Sequence, residues 1–178
     1  FTVYLIDSPG HGKSDPEDTF SYEDMAEKIY QLLITLDVKD PYYFGFSDGG
    51  IIGLLIAINH KDYLKQLIIS GANTDPSGAK DWVLNLFKVI YFFTRKETFK
   101  LMLTQPQISE EQLKSITTPT VVLAGSKDVV KESHTKMIAQ TIPNSTLEIL
   151  QGEDHGSYII KSDKIVHLII KHTKEVDA

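Results

Sequence analysis

The sequence predicts an α/β protein: a mostly parallel sheet with helices on both faces. Three observations carry this. Short apolar segments alternate with stretches of helical periodicity. The apolar segments are continuously hydrophobic, as strands buried on both faces are. Turn-forming residues separate the two. The chain has 178 residues, 42% of them hydrophobic and 24% charged. That is ordinary globular composition, at a length that suits one domain with a substantial core.

The elements follow in order. Phe1 to Ile6 is apolar and rich in β-branched and aromatic residues, which predicts a buried opening strand. Asp7-Ser-Pro-Gly-His-Gly-Lys-Ser-Asp15 is turn chemistry throughout. Ser21 and Asp24 predict a capping box, and Met25, Ile29, Leu32, Leu33 and Leu36 then follow helical spacing until Pro41 stops the helix. Tyr42 to Phe46 predicts a second strand, Gly49 to Asn59 a helix, and Leu64 to Ser70 a third strand. Gly71 to Lys80 reads as a loop. Asp81 to Thr94 is a helix that is apolar on nearly every face, and short helices follow at Phe99 to Thr104 and Ser109 to Lys114. Pro119 introduces a strand from Thr120 to Ala124. A helix from Lys131 to Gln140, a strand from Thr146 to Leu150 and a helix from Ser162 to Thr173 complete the pattern. The segment Thr74 to Thr118 breaks the alternation and is expected to be a helical insertion within a single domain spanning residues 1–178.

Composition excludes several function classes. Eighteen Lys+Arg against 24 Asp+Glu leave a net charge of −6. Without a basic run the chain is a poor match to a phosphate backbone, so no nucleic-acid partner is expected. The longest uncharged apolar stretch, Gly50 to Ile58, is far below the ~20 residues of a membrane span. The absence of Cys excludes disulfides, thiol catalysis and Cys-ligated zinc. No H-E-x-x-H or comparable ligand spacing occurs, and the reading calls for no metal or cofactor. No signal peptide is visible, although the chain opens on Phe1 rather than Met, and a cytoplasmic location is expected.

The chemistry centres on Gly45-Phe46-Ser47-Asp48-Gly49. It fits G-x-S-x-G directly after a predicted strand and before a predicted helix. Such a turn is sharp enough to strain the serine backbone, so its neighbours are expected to be glycine. The hydroxyl is lifted clear of the sheet, and the helix N-terminus favours developing negative charge. The bland reading is a Gly-rich turn with an ordinary serine.

A serine needs a base, and six histidines are available. His11 lies in a turn and His60 at a helix end, while His134, His167 and His172 fall within helices, solvated or packed. Only His155, in Gly152-Glu-Asp-His-Gly-Ser-Tyr158, sits on a loop at the carboxyl end of a late strand, where open parallel sheets bind ligands. The base needs an orienting carboxylate. Asp128, in Gly125-Ser-Lys-Asp-Val129, follows a strand in the same way; its bland reading is an Asx turn or a helix cap. Glu153 and Asp154 compete, but they adjoin His155 and would struggle to meet its ring side-on. The chain order is Ser47, Asp128, His155.

These motifs resemble the α/β-hydrolase superfamily over nearly the whole chain. Asp7 to Ser14 resembles the D-x-x-G-x-G-x-S turn after that family's fourth strand. Gly45 to Gly49 resembles the nucleophile elbow, Pro119 to Asp128 the acid strand and turn, and Gly152 to His155 the histidine loop. Thr74 to Thr118 occupies the position of the cap. Ser47-Asp-Gly-Gly-Ile51 followed by Gly71-Ala-Asn73 is similar to the valacyclovir-hydrolase-like branch of small serine esterases. A serine at position 47 argues against the dehalogenases and epoxide hydrolases, which use an aspartate nucleophile.

The resemblance implies a serine hydrolase of a small acyl substrate, with Ser47 as nucleophile, His155 as base and Asp128 orienting it. The backbone N–H of Asp48 would be an oxyanion donor. It also implies three strands before Phe1, the third lying between the strands of Phe1 and Tyr42 and ending in a loop that supplies the other oxyanion donor. A donor of that kind is worth about 10²–10³ in rate. A gap there would leave backbone groups unpaired. The expectation is therefore an N-terminally truncated α/β-hydrolase fold, short by roughly 60–70 residues. The alternatives are a rearranged sheet, with Phe1 to Ile6 pairing directly with Tyr42 to Phe46, or an edge completed by a partner chain.

Three further readings remain open. The Asp48 carboxylate either binds the amino group of an amino-acid ester or caps the following helix. The aromatic helix either lids the site, with Trp82 and Phe87 lining an acyl pocket, or packs on the core or in a homodimer. It is too short, and lacks the basic polar face, for a membrane anchor. In function, C–C cleavage or acyl transfer would use the same three residues, and a non-catalytic binding or dimerisation module would use the fold alone.

Overall fold

The computed structural model of the chain describes residues 2–15 and 21–176. At its centre are four parallel strands, β1 Tyr42–Phe46, β2 Gln66–Ser70, β3 Thr120–Gly125 and β4 Ser145–Leu150, in spatial order β1-β2-β3-β4. Phe46 lies opposite Ser70, Ser70 opposite Leu123 and Gly125 opposite Leu150, so the carboxyl ends open along one rim. Seven helices accompany them among the described residues: α1 Tyr22–Thr35, α2 Asp48–Asn59, α3 Asp81–Thr94, α4 Glu97–Thr104, α5 Glu110–Lys114, α6 Glu132–Thr141 and α7 Lys164–Val176. None is long and apolar enough to cross a membrane.

Every residue of β2 and β3 is buried, which explains their continuous hydrophobicity. Successive side chains leave on opposite faces. Leu67, Ile69 and Val122 pack with Met25 and Ile29 of α1, Leu54 of α2 and Ile138 of α6. Ile68, Val121 and Leu123 pack on the other face with Tyr158 and Ile165 of the α7 region. The apolar run from Gly50 to Ile58 is α2 itself, buried throughout against the sheet and α1. Each Leu or Ile taken fully from water contributes about 1.5–3 kcal/mol.

Three expectations are corrected. First, residues 2–6 form no strand: Val3 and Leu5 are 74% and 94% exposed, and only Ile6 packs partly on the core. Phe1 lies outside the described residues. A strand is stable only with a ladder partner. These residues do not pair with β1, so the rearranged sheet does not occur, and β1 is an edge strand among the described residues.

Second, α1 ends at Thr35, well before Pro41, with Asp37 in the left-handed region at φ +52°. Its buried face is Tyr22, Met25, Ala26, Ile29 and Leu33, while Leu32 and Leu36 are exposed. Third, only half of the Ser21 capping box forms. Ser21 Oγ accepts the Asp24 N–H at 3.2 Å, but the Asp24 carboxylate pairs with Lys28. The complete box is at Ser109 and Gln112 of α5.

Between β2 and β3 run a 3-10 turn at Pro76–Gly78 and helices α3, α4 and α5. The start of this excursion is clipped to the loop after β3. Lys80 N–H donates to Val129 O at 2.9 Å and Lys131 N–H to Gly78 O at 2.8 Å, around an antiparallel bridge between Ala79 and Val130.

Candidate active site

Ser47 sits between the end of β1 and the start of α2, with φ +52° and ψ −118°. Only a tightly packed turn holds a non-glycine residue there. A Cβ at Gly45 would lie 2.1 Å from Gly49 O, so a side chain at 45 would collide with the first turn of α2. A Cβ at Gly50 would come within 2.9 Å of Ala72 Cβ, whereas one at Gly49 would meet nothing within 4 Å. The steric need for glycine therefore falls on positions 45 and 50, not on 49 as the motif alone suggests.

Asp128 occupies the turn after β3 and is 2% exposed. Its Oδ1 accepts the Val130 N–H at 2.9 Å, so the Asx turn is real. The same oxygen lies 2.7 Å from His155 Nδ1. A carboxylate can only accept, so Nδ1 carries the proton and Nε2 is left as acceptor. Nε2 lies 3.2 Å from Ser47 Oγ. Three residues from three separate loops thus form one hydrogen-bonded run. Glu153 and Asp154 serve the loop instead. Asp154 Oδ1 accepts the N–H groups of Gly156 and Ser157 at 2.9 Å, and Glu153 accepts from Ser157 Oγ and Lys164 Nζ. Lys127 N–H donates to Glu153 O at 2.8 Å, which ties the Asp128 and His155 loops together. The Phe46 ring lies 4.7 Å from the imidazole.

The other histidines have local tasks. His11 Nδ1 is 3.0 Å from Pro9 O, and His60 stacks on Tyr30 beside Glu27. His134 Nε2 accepts the Thr74 N–H at 3.0 Å, and His172 Nε2 is 2.9 Å from Glu148. His167 is exposed beside Asp163.

The Asp48 carboxylate makes no helix cap. Ser47 is the cap residue, and Asp48 Oδ1 accepts the Tyr22 hydroxyl at 2.7 Å. Burial pushes the Asp48 carboxyl above its usual range, while the Tyr22 hydrogen bond and the charges of His11 and His155 pull the other way. Burial first, and then the Asp48 charge, raise the Tyr22 phenol. No hydrogen bond from the Asp48 N–H is seen among the described residues.

A cavity of about 280 Å³ opens beside these groups, bounded by Ser47, Asp48, His155, Trp82, Phe87 and Met102. Trp82 and Phe87 thus reach the site, although Trp82 is also largely exposed.

The roles of three residues at the site, Gly71, Tyr22 and Gln105, are not predicted from the sequence. A Cβ at Gly71, where φ is +61°, would come within 2.8 Å of His155 Cε1 and 3.3 Å of Asp128 Oδ2. Tyr22 holds Asp48, and Gln105 Oε1 accepts the Tyr22 N–H at 3.1 Å. Among the described residues no cluster of three or more His, Asp or Glu side chains could hold a metal ion.

The family model described as alpha/beta hydrolase fold matches residues 1–101, more than half of the chain. The chain belongs to the alpha/beta hydrolase fold family. This alpha/beta hydrolase is 25% identical to the serine hydrolase BPHL of Mus musculus, over 95% of this chain and 68% of that protein. It is 24% identical to a protein of Stutzerimonas stutzeri named as a carbamate hydrolase, RutD, over 98% of this chain and 82% of that protein. Among solved structures, a thermophilic esterase of Thermogutta terrifontis superposes with a TM-score of 0.76 at 18% identity, covering 97% of this chain and 79% of that one. At that identity the likeness establishes the fold alone. The family match includes Ser47 and stops short of Asp128 and His155.

Proposed function

We propose that this alpha/beta hydrolase is a serine hydrolase that cleaves a small carboxylic ester or amide through an acyl-enzyme. The observation that carries the reading is the run Asp128 Oδ1, His155 Nδ1, His155 Nε2, Ser47 Oγ, with separations of 2.7 and 3.2 Å. Family membership and relatives named as hydrolases support the broader class.

In this reading His155 Nε2 takes the Ser47 proton as Oγ bonds to the acyl carbon. The carbonyl oxygen becomes an oxyanion facing the Asp48 N–H at the start of α2. Collapse breaks the bond to the leaving group, which receives the proton from His155. A water then gives its proton to His155 and attacks the acyl carbon. Ser47 leaves, recovers its proton, and a carboxylic acid is released. Asp128 fixes the imidazole tautomer and stabilises its cation. Residues 74–118 act as a cap, and Trp82 and Phe87 line the acyl side of the cavity.

A fluorophosphonate probe tests this. Adduct formation at Ser47, mapped by mass spectrometry, is expected in the wild-type chain and should fall by about 10³-fold or more in His155→Ala. A folded chain whose Ser47 stays unlabelled would overturn the reading and favour a binding role for the fold.

The Asp48 carboxylate suits the ammonium of an amino-acid ester, being an anionic acceptor in the cavity wall. Asp48→Asn should lower kcat/KM for such esters by about 10- to 100-fold, the worth of a charged hydrogen bond, while neutral esters change little. Equal losses on both would remove this specificity role.

A further inference from the structure

Five large apolar side chains on α3, Trp82, Leu86, Val89, Phe92 and Phe93, are between 47% and 78% exposed, and Val83 is that helix's buried residue. Trp82, Leu86, Val89 and Phe93 recur at spacings of four, three and four. That is the d-a-d-a register of a coiled-coil seam, with Phe92 flanking it. We propose that this face docks on the same face of a second copy of the chain, the two α3 helices lying antiparallel about a two-fold axis between Leu86 and Val89.

The face is complementary to itself in that arrangement. Leu86 of each copy meets Val89 of the other, and Trp82 meets Phe93. The two smaller side chains meet at the centre and large rings close both ends. A symmetric pair buries the same patch twice.

Direction follows from charge. The end that carries Lys80 and Asp81, whose exposed carboxylate already pairs with Lys131 at 3.0 Å, lies beside the end of the other copy that carries Arg95 and Lys96. Helix N-termini then also meet C-termini, which the helix dipoles favour. A parallel pair would instead bring the Arg95 and Lys96 ends of both copies together.

The area is sufficient for weak pairing. The exposed part of these side chains amounts to roughly 600 Å² per copy, which for two copies reaches the lower edge of the range for specific interfaces. A patch of that size is at the upper limit of what a monomer leaves in water. A lipid surface fits less well, because Lys88 is the one cation within the helix and no Lys/Arg-rich polar face opposes the apolar one. Trp82 and Leu86 also line the cavity beside Ser47, so the second copy roofs its mouth.

The test is the mass of the full chain by sedimentation velocity, which is independent of any chemistry at Ser47. The expected mass is twice the 20.0 kDa of one chain. Leu86→Glu combined with Val89→Glu should return it to one chain with an unchanged far-UV spectrum, since both side chains face solvent in the single copy. The chain has no Cys, so engineered thiols report cleanly. Leu86→Cys chains mixed with Val89→Cys chains should oxidise to a mixed disulfide. Trp82→Cys chains should not cross-link to themselves, because antiparallel helices hold those positions roughly 16 Å apart along the axis. A single-chain mass at high concentration, a dimer that survives both glutamates, or self-linked Trp82→Cys chains would each overturn the proposal. A single-chain mass with flotation on phosphatidylglycerol vesicles would assign the face to lipid instead.

Discussion

At Gly71 an added methyl group would sit 2.8 Å from His155 Cε1 and 2.9 Å from Nδ1, on backbone with φ +61°. Gly71→Ala should therefore push the imidazole off the line between Asp128 and Ser47. A misplacement near 1 Å costs about 100-fold in rate, and Ser47 labelling should slow by that order while the chain stays folded. Wild-type labelling would mean that the histidine loop yields elsewhere. The sequence marks Gly71 only as part of a family-like Gly71-Ala-Asn73; its packing against His155 was not legible, because a Gly after a strand looks like any turn. Ser47, Asp128 and His155 were legible for the opposite reason: each lies in a local pattern at the carboxyl end of a strand. Tyr22 and Gln105 were not. Their contact joins positions 83 residues apart, and no short window contains both. Of the two roles open to Asp48 in the sequence, binding a substrate amino group or capping the helix, the structure removes the cap. With Ser47 already in that place, the Asp48 carboxylate swings out to Tyr22 instead.

Among elements, α6 is fastened to the loop after β2 by His134. Its Nε2 accepts the Thr74 N–H at 3.0 Å and faces Thr74 Oγ at 3.1 Å. Burial lowers the pKa of this histidine; Lys131 acts in the same direction and Asp75 against it. A lowered folded pKa means that the unfolded chain binds the proton more readily. The stabilisation is thus fully present above the ordinary value of 6.5 and is lost as pH falls through the lower folded value. Urea midpoints should show wild type losing stability on acidification relative to His134→Gln, which can keep an acceptor without titrating. The difference should be about 1 kcal/mol, the worth of one such bond, and parallel pH curves would remove the assignment. The helix was predictable from its spacing, but the bond was not, since its partner is 60 residues away. Residues 2–6 make the same point for strands. Their composition is strand-like, yet pairing is a property of two segments, and no ladder forms there.

At the largest scale, what matters is that the sheet of the described residues ends at β1. Ser47 N–H donates to Ser70 O at 2.8 Å, and Lys65 N–H donates to Pro41 O at 3.0 Å. With a period of two, the odd-numbered residues of β1 face β2, and the N–H groups of Phe44 and Phe46 point away from it. The two interior strands were legible from their unbroken hydrophobicity. The edge is not legible in the composition of Tyr42–Phe46, which is that of a buried strand; only the resemblance, which implies a further strand beside Tyr42, points to it. Hydrogen exchange distinguishes the two states of that edge. Amides of β2 and β3 should exchange only through global unfolding, since both strands are paired on both sides. Gly45 should be protected nearly as well. Phe44 and Phe46 should exchange faster than Gly45 by about 10²-fold or more, because among the described residues no strand pairs with that side of β1. Equal protection along β1 would mean that another strand covers the edge in solution. That strand would then lie directly beside Ser47, close enough to contribute to the oxyanion environment.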